Sequence, residues 1–325
     1  MTHSLILGID IGGTKSTVLI GTKAGQVLRR HSFATEVERG FEYSFGNIVS
    51  QARQLRAAWE QSTDTIEVVG VSIGGPIDLK AGRLLNPPHL PGWENFAIKA
   101  TLISLLELPC YVEHDGNAGA LAEWLFGAGQ GLESLIYLTA GTGFGAGLIL
   151  DGRLYRGTSS MAGEIGHVRA SEHGPEMFGK HGVFESFCGG TGIGKLARQN
   201  FPALATRLGP EYGLKELAEA ARAGEVAAIE LLQQSGTYLG RALALLADLL
   251  NPQLIIVGSL GLRLGDLWLQ PAMAEFEREA LPAAFAACRV STAQLGEGLQ
   301  DVAALCAAIY GSQEYKNKQN ELTKG

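Results

Sequence analysis

Two stretches of this chain can be laid one over the other: LILGIDIGGTKSTVLI (5–20) and LIYLTAGTGFGAGLIL (135–150). Each is an apolar run, a turn rich in glycine and threonine, and a second apolar run, at the same length. One copy alone reads as an ordinary hairpin, because glycine-rich turns commonly connect antiparallel strands. Two copies point to a duplicated fold with a phosphate-binding hairpin in each half. Successive backbone N–H groups in such turns form an anion cradle, and threonine hydroxyls add donors.

Working outward, further short apolar runs end in Gly or Asp: TIEVVGVSIGG (65–75), PCYVEHDGN (109–117) and QLIIVGSLG (253–261). Each reads as a buried strand whose C-terminal end opens into a loop, where α/β folds present ligand-binding groups. Helical patterns fill the intervals at 46–61, at DGNAGALAEWLFGAG (115–129), and as a pair of helices from 214 to Pro252. The stretch SQEYKNKQNELTKG (312–325) reads as a polar tail that frays.

Composition bounds the answer. With 325 residues, 46% hydrophobic and 18% charged, the chain reads as a soluble globular protein of two lobes. No apolar run approaches the roughly 20 residues that a membrane-spanning helix needs. The start, MTHSLILGID, lacks the basic segment and long apolar stretch of a secretion signal, so cytoplasmic location is expected. Cys110, Cys188, Cys288 and Cys306 are scattered without a CxxC pair, which favours reduced thiols over disulfides or a cysteine-rich zinc site. A net charge of −7 argues against nucleic acid as a partner.

Several motifs fail on inspection. CGGTGIGKL (188–196) has Leu196 where a P-loop needs Ser or Thr for its metal, and no strand pattern immediately precedes it. GTGFGAG is not GxGxxG, and no GxSxG or HExxH occurs. Asp115, at the end of an apolar strand and the start of a helix, is equally readable as a helix N-cap and as a general base. NPPHLPGWENF (86–96), with Asn86 and Trp93, is either a core cap or a specificity loop whose amide binds a sugar hydroxyl. GEIGHVRASEHGPEMFGKHGVFES (163–186) holds His167, His173 and His181 among Glu164, Glu176 and Glu185, with Cys188 just beyond. By residue type alone it is open to reading as a metal site, a substrate site or a polar loop.

The motifs GIDIGGTK, GGPID, NPPHLPGW, HDGNAGALAE, TAGTGFGAGLILDGRLYRGTSSMAGEIGH and HGVFES, in that order, resemble the ROK family of repressors, open reading frames and sugar kinases. The resemblance runs from Gly8 to about Tyr310 and implies an α/β, two-lobed actin-like ATPase (ribonuclease H-like) fold with duplicated phosphate-binding hairpins. It implies a small N-terminal lobe at 1–117, joined by a C-terminal helix at about 299–311, a large lobe at 118–298, and the tail 312–325. It further implies closure over ATP·Mg²⁺ and a hexose, which would exclude water. On that pattern Asp10 holds Mg²⁺ through water; Gly12, Gly13, Thr14 and Lys15 form the first phosphate loop; and Gly141, Thr142 and Gly143 form the second. Gly258 and Ser259 resemble the adenosine motif, and Asp115 resembles the catalytic base. Gly75, Asn86, Glu164, His167 and Glu185 match positions that bind sugar hydroxyls.

Two positions depart from the pattern. His114 stands where the family usually has Asn before the catalytic Asp, which affects contacts to the far sugar hydroxyls. Zinc-binding members carry three cysteines after GH, and here those positions are Glu176, Phe178 and Val183, so no structural zinc site is expected. His173 and His181 are then read as solvated loop residues. The resemblance implies an ATP-dependent sugar kinase, most simply a glucokinase acting on the 6-hydroxyl, and a homodimer. Fructose, mannose or an N-acetylhexosamine are alternative acceptors. A sugar-sensing regulator is the rival class; its DNA-binding helices would precede the first hairpin, whose strand begins at Leu5.

Overall fold

The apolar run at the start of the chain folds as strand β1 (Ser4–Ile11), followed by β2 (Lys15–Thr22) and β3 (Val27–Ala34) in an antiparallel meander. Strands β4 (Thr65–Ile73) and β5 (Cys110–His114) add on the other side of β1, both parallel to it, giving the order β3-β2-β1-β4-β5. This computed structural model describes residues 4–59, 64–209 and 212–322, and side chains as far as 317. The fold divides into two units: residues 1–126, 156–161 and 297–325 form one, residues 127–155 and 162–296 the other.

In the first unit both faces of the sheet are covered, which is why β1 reads as a continuous apolar run rather than an alternating one. Leu5, Leu7, Ile9 and Ile11 pack with Phe45, Ile48 and Ala52 of helix α1 (Phe41–Trp59) and Leu102 of helix α2 (Ile98–Leu106). On the opposite face Ile6, Leu19 and Val68 meet Ala304, Leu305 and Ala308 of the C-terminal helix Leu299–Leu322. That helix lies so close to the sheet that a Cβ on Gly70 would collide with the Ala304 carbonyl oxygen. It runs through 312–322, so this part of the stretch read as a polar tail is helical. The helix pattern at 46–61 is realised in α1 to Trp59, and its last two positions lie outside the described residues. Helix α3 (Asp115–Phe126) follows β5 without a linker, so Asp115 is the first helical residue after the strand.

The second unit repeats the arrangement. Strands β6 (Leu135–Leu138), β7 (Ala146–Leu150) and β8 (Arg153–Leu154) form the meander, and β9 (Leu254–Val257) and β10 (Arg289–Thr292) add parallel to β6. The order β8-β7-β6-β9-β10 is that of the first sheet, so the duplication suggested by the two quoted stretches is present in the topology. This ribonuclease H-like order, found once per unit, defines the actin-like ATPase fold. Helix α4 (Gly190–Asn200), helix α5 (Val226–Leu250) and helix α6 (Asp266–Glu279) build the rest of its core. Where α5 meets α6, Gly236 and Gly240 allow close approach, and buried Ser235 accepts from Trp268 Nε1 at 2.7 Å while donating to the Phe187 carbonyl at 2.6 Å. Among the described residues no helix is long and apolar enough to cross a membrane.

Candidate active site

The first glycine turn closes over three residues, with the Gly12 N–H donating to the Lys15 carbonyl at 3.1 Å. Thr35, fully buried just after β3, pins it from behind: its N–H donates to the Thr14 carbonyl at 3.0 Å and its hydroxyl to the Gly12 carbonyl at 2.7 Å. A Cβ on Gly13 would press on the His89 carbonyl oxygen, so glycine is needed where the 86–96 loop meets the turn. Thr14 and Lys15 are exposed. Trp93 from that loop is fully buried among Phe41, Phe45 and Phe96, with ring centroids 5.2–6.0 Å away, which anchors the loop as a core cap. Asn86 is exposed at its start.

Two carboxylates stand at the C-terminal ends of strands flanking β4, Asp10 on β1 and Asp115 after β5. Burial pushes Asp10 up to about 7, the neighbouring charges of Asp115 and Asp301 push the same way, and the Ser72 hydroxyl and Lys15 oppose. Asp115 is 44% exposed at its side chain, and its Oδ1 accepts the Gly116 N–H at 2.7 Å. Beside it, His114 Nδ1 accepts the same N–H at 3.3 Å and lies 3.4 Å from Asp115 Oδ1. The imidazole lies over Gly75, where a Cβ would meet its Cδ2 at 2.7 Å. Asp10, Gly75, His114 and Asp115 are therefore brought together, at strand ends where an α/β sheet presents its ligand groups.

Directly beneath, Glu113 is buried and fully engaged. One oxygen accepts from the His114 N–H at 3.1 Å and Asn117 Nδ2 at 2.8 Å; the other takes Arg156 Nε at 2.9 Å and Nη2 at 2.7 Å. Arg156 Nη1 reaches Glu314 of the C-terminal helix at 2.9 Å.

In the second unit the glycine-rich connection 139–145 spans seven residues rather than a tight turn, with Thr139 N–H donating to the Gly145 carbonyl and Gly141 N–H to the Gly143 carbonyl. The extra length has structural partners. Gly190 and Thr191, at the start of α4, donate their N–H groups to the Gly141 and Thr142 carbonyls at 2.8 and 3.1 Å. The Phe144 N–H donates to Glu185 Oε2 at 2.9 Å. Gly258 approaches the same loop: its N–H reaches the Leu138 carbonyl at 2.9 Å, and Ser259 Oγ donates to the Ala140 carbonyl at 3.1 Å. A Cβ on Gly258 would meet that Leu138 oxygen at 2.7 Å, so glycine is required. The segment GEIGH packs on the hairpin through the Ala146 N–H to the Gly163 carbonyl, 2.8 Å. Glu164, His167 and Glu185 thus converge: His167 Nε2 lies 3.9 Å from Glu164 Oε2, and burial, with the Glu164 charge behind it, raises the pKa of Glu185.

The ROK family model matches residues 6–309. The chain belongs to the ROK family. The glucokinase of Halalkalibacterium halodurans is 29% identical over 336 residues, spanning 100% of this chain and 99% of the relative. A crystal structure of a ROK family glucokinase from Streptomyces griseus in complex with glucose and AMPPNP is 31% identical with a TM-score of 0.76, covering 93% of this chain and 98% of that one. A ROK hexokinase from Thermus thermophilus is 27% identical with a TM-score of 0.81, covering 95% and 99%.

The three positions that hold cysteine in zinc-binding ROK members do not form a fitting donor set here. Glu176 and Phe178 lie on a small hairpin (Glu176–Met177 paired with Lys180–His181), Val183 is fully buried, and Cys188 is sealed in the core of the second unit. His181 sits in that hairpin rather than in irregular loop, exposed, with Nδ1 3.2 Å from the Gly174 carbonyl; His173 is exposed nearby. Among the described residues no group of three or more His, Cys, Asp or Glu is placed to hold a metal ion.

Motif reading passed over Thr35, Arg156 and one cavity. The rejected run CGGTGIGKL begins at the last residue of a short helix (Phe184–Cys188), not after a strand, yet its Gly190 and Gly194 line a cavity of about 250 Å³ with Thr191, Lys195, Arg198, Tyr212 and Leu214. Tyr212 is held there by its hydroxyl, which donates to the Gly194 carbonyl at 2.9 Å, and by the Arg198 guanidinium 5.0 Å from its ring centroid.

Proposed function

We propose that this ROK protein is an ATP-dependent hexose kinase that transfers the γ-phosphoryl group of ATP to the 6-hydroxyl of glucose. The observation that carries the reading is the pairing of Asp10 and Asp115 at the ends of the two strands that flank β4, beside the first glycine turn. Phosphoryl transfer asks a protein for positioning and charge neutralisation more than for covalent chemistry: Asp115 would position the hydroxyl, and the glycine turn with Lys15 and a cation at Asp10 would meet the phosphate charge. Asp115, partly exposed and held by the Gly116 N–H, takes the proton of the attacking hydroxyl. Gly12, Gly13, Thr14 and Lys15 in one unit and Gly141, Thr142 and Gly143 in the other bind phosphate oxygens. Gly258 and Ser259 support the adenosine, and the cavity with Tyr212 and Arg198 receives its base. Asn86, Gly75, His114, Glu164, His167 and Glu185 take the sugar hydroxyls, donors and acceptors in fixed directions.

Magnesium fits this arrangement. A carboxylate whose pKa is raised to about 7 by burial, with the charges of Asp115 and Asp301 adding to it, is one that a cation relieves, and oxygen is the donor this ion prefers. Asp10 would hold the ion through water, and the ion supplies neutralisation of the phosphate charge. Cytoplasmic action on small sugars, a homodimer and no nucleic-acid partner belong to the same reading.

A second reading keeps the chemistry and changes the sugar, to fructose, mannose or an N-acetylhexosamine. It is favoured by His114, whose ring fills the space over Gly75 where the family usually places a smaller Asn. An assay of ADP release over a panel of hexoses separates the two by kcat/KM. Asp115→Asn should lower kcat by about 10²-fold or more with the preferred sugar. Near-normal turnover in that variant removes Asp115 from the chemistry.

A further inference from the structure

We propose that Phe178, with Lys180, is a strap that orients the imidazole of His167 by ring stacking, where Glu176, Phe178 and Val183 stand at the cysteine positions of zinc-binding members. The inference rests on the reading of His167 as a sugar-hydroxyl ligand. His167 closes one tight helical turn (Ile165–His167), and its side chain is 44% exposed. The carboxylate beside its ring, Glu164 Oε2 at 3.9 Å from Nε2, stands beyond hydrogen-bonding distance. What touches the ring is Phe178: the centroids are 3.8 Å apart and the planes 15° from parallel.

The way Phe178 is presented supports the assignment. It occupies the first position of a two-residue turn between Met177 and Lys180, with φ of 54° at Phe178 and 69° at Gly179. Positive φ at both central residues is the pattern of a type I′ turn, which favours Asn-Gly and disfavours a bulky side chain. Phe178 is also 43% exposed, so burial in a core does not account for it. Two residues on, Lys180 Nζ donates to the His167 carbonyl at 2.9 Å. One hairpin therefore grips His167 at its ring and at its backbone.

Stacking has a different chemical consequence from ligation. A metal fixes the ring by occupying one nitrogen, whereas a stacked phenyl covers only a face. Both Nδ1 and Nε2 stay on the open edge, one donating and one accepting in the neutral ring, and both remain free to meet hydroxyls.

The test compares Phe178→Ala, Phe178→Tyr, His167→Ala and the double variant Phe178→Ala/His167→Ala. Phe178→Ala should raise KM for glucose about 3- to 10-fold, the range expected for losing one aromatic stack, with KM for ATP and the melting temperature unchanged. Phe178→Tyr should restore the wild-type value, and the double variant should be no worse than His167→Ala alone. In proton NMR of the full-length protein, the ring protons of His167 should sit upfield and return toward ordinary positions in Phe178→Ala. Wild-type KM in Phe178→Ala beside a raised KM in His167→Ala overturns the strap, as does an unshifted His167 ring. Wild-type KM in both variants removes the sugar-clamp reading, and the strap's role falls with it.

Discussion

Asp10 carries a charge that the folded chain resists. Its pKa is about 7 in the fold against 3.8 for the free side chain, burial being the largest cause. Between those values the folded protein binds a proton that the unfolded chain has released, so stability falls as pH rises through the window and is lowest above about 7. Asp10→Asn removes the effect. Without ligands that variant should be more stable than the parent above pH 7, by up to about 4 kcal/mol, and equal to it below pH 4. Melting temperatures of the two proteins across this range test it; a difference independent of pH would refute burial as the cause. If Asp10 also serves magnesium, its affinity for the ion should rise between pH 6 and 8, with proton release seen by calorimetry in two buffers. Such carboxylates were legible in the sequence because they end apolar runs. Thr35 was not, since it reaches the turn at Gly12 only through the register of β2 with β3, and nothing local marks it. Phe178 was legible as a missing ligand and as packing that stiffens the loop with Val183 and Phe184; its contact with the ring of His167 was not, because it is made through a hairpin too short to show a strand pattern.

Between elements of the first unit, Arg156 clamps Glu113 at the end of β5 to Glu314 on the C-terminal helix. Glu113 is 3% exposed, so Arg156→Ala would leave a buried carboxylate without its cation and cost about 3–5 kcal/mol. Because Glu113 also holds the His114 N–H and the Asn117 side chain, the loss should spread to Asp115 and depress kcat. Urea unfolding and steady-state kinetics of Arg156→Ala check both effects. Arg156→Met with Glu113→Gln should be milder in stability, since no charge is then stranded. The strands and most helices were legible from apolar runs and helical spacing. The connection 139–145 was not: equal length and composition suggested a tight turn like 12–14. Its true form is set by Glu185, Gly190 and Thr191, residues far along the chain that supply its hydrogen bonds. Arg156 was invisible for the same reason, lying 43 residues from Glu113 in sequence.

At the scale of the whole molecule, a fold read from two sixteen-residue stretches proves to be one sheet order used twice, yet the two copies are completed differently. The second unit draws its sheet and core from residues 127–155 and 162–296, while the first needs residues 297–325, which come last in the chain. The C-terminal helix Leu299–Leu322 covers a sheet face made of Ile6, Leu19 and Val68, and Gly70 gives it room to lie flat. A chain ending at 296 would bare that apolar face, which an isolated sheet cannot leave in water without association. Such a truncation should therefore bind a hydrophobic dye and lose its first unit to limited proteolysis, with the surviving fragment mapping within 127–296. Full-length Gly70→Val isolates the packing itself, because the added methyl groups wedge between sheet and helix with every residue still present. Overpacking of this kind costs about 1–3 kcal/mol and should sensitise the same segments to protease. Equal resistance of both units in the truncated chain would mean that the helix is an accessory rather than a layer of the first unit. Resistance of the Gly70→Val protein alone would mean only that the helix can shift to accommodate the side chain.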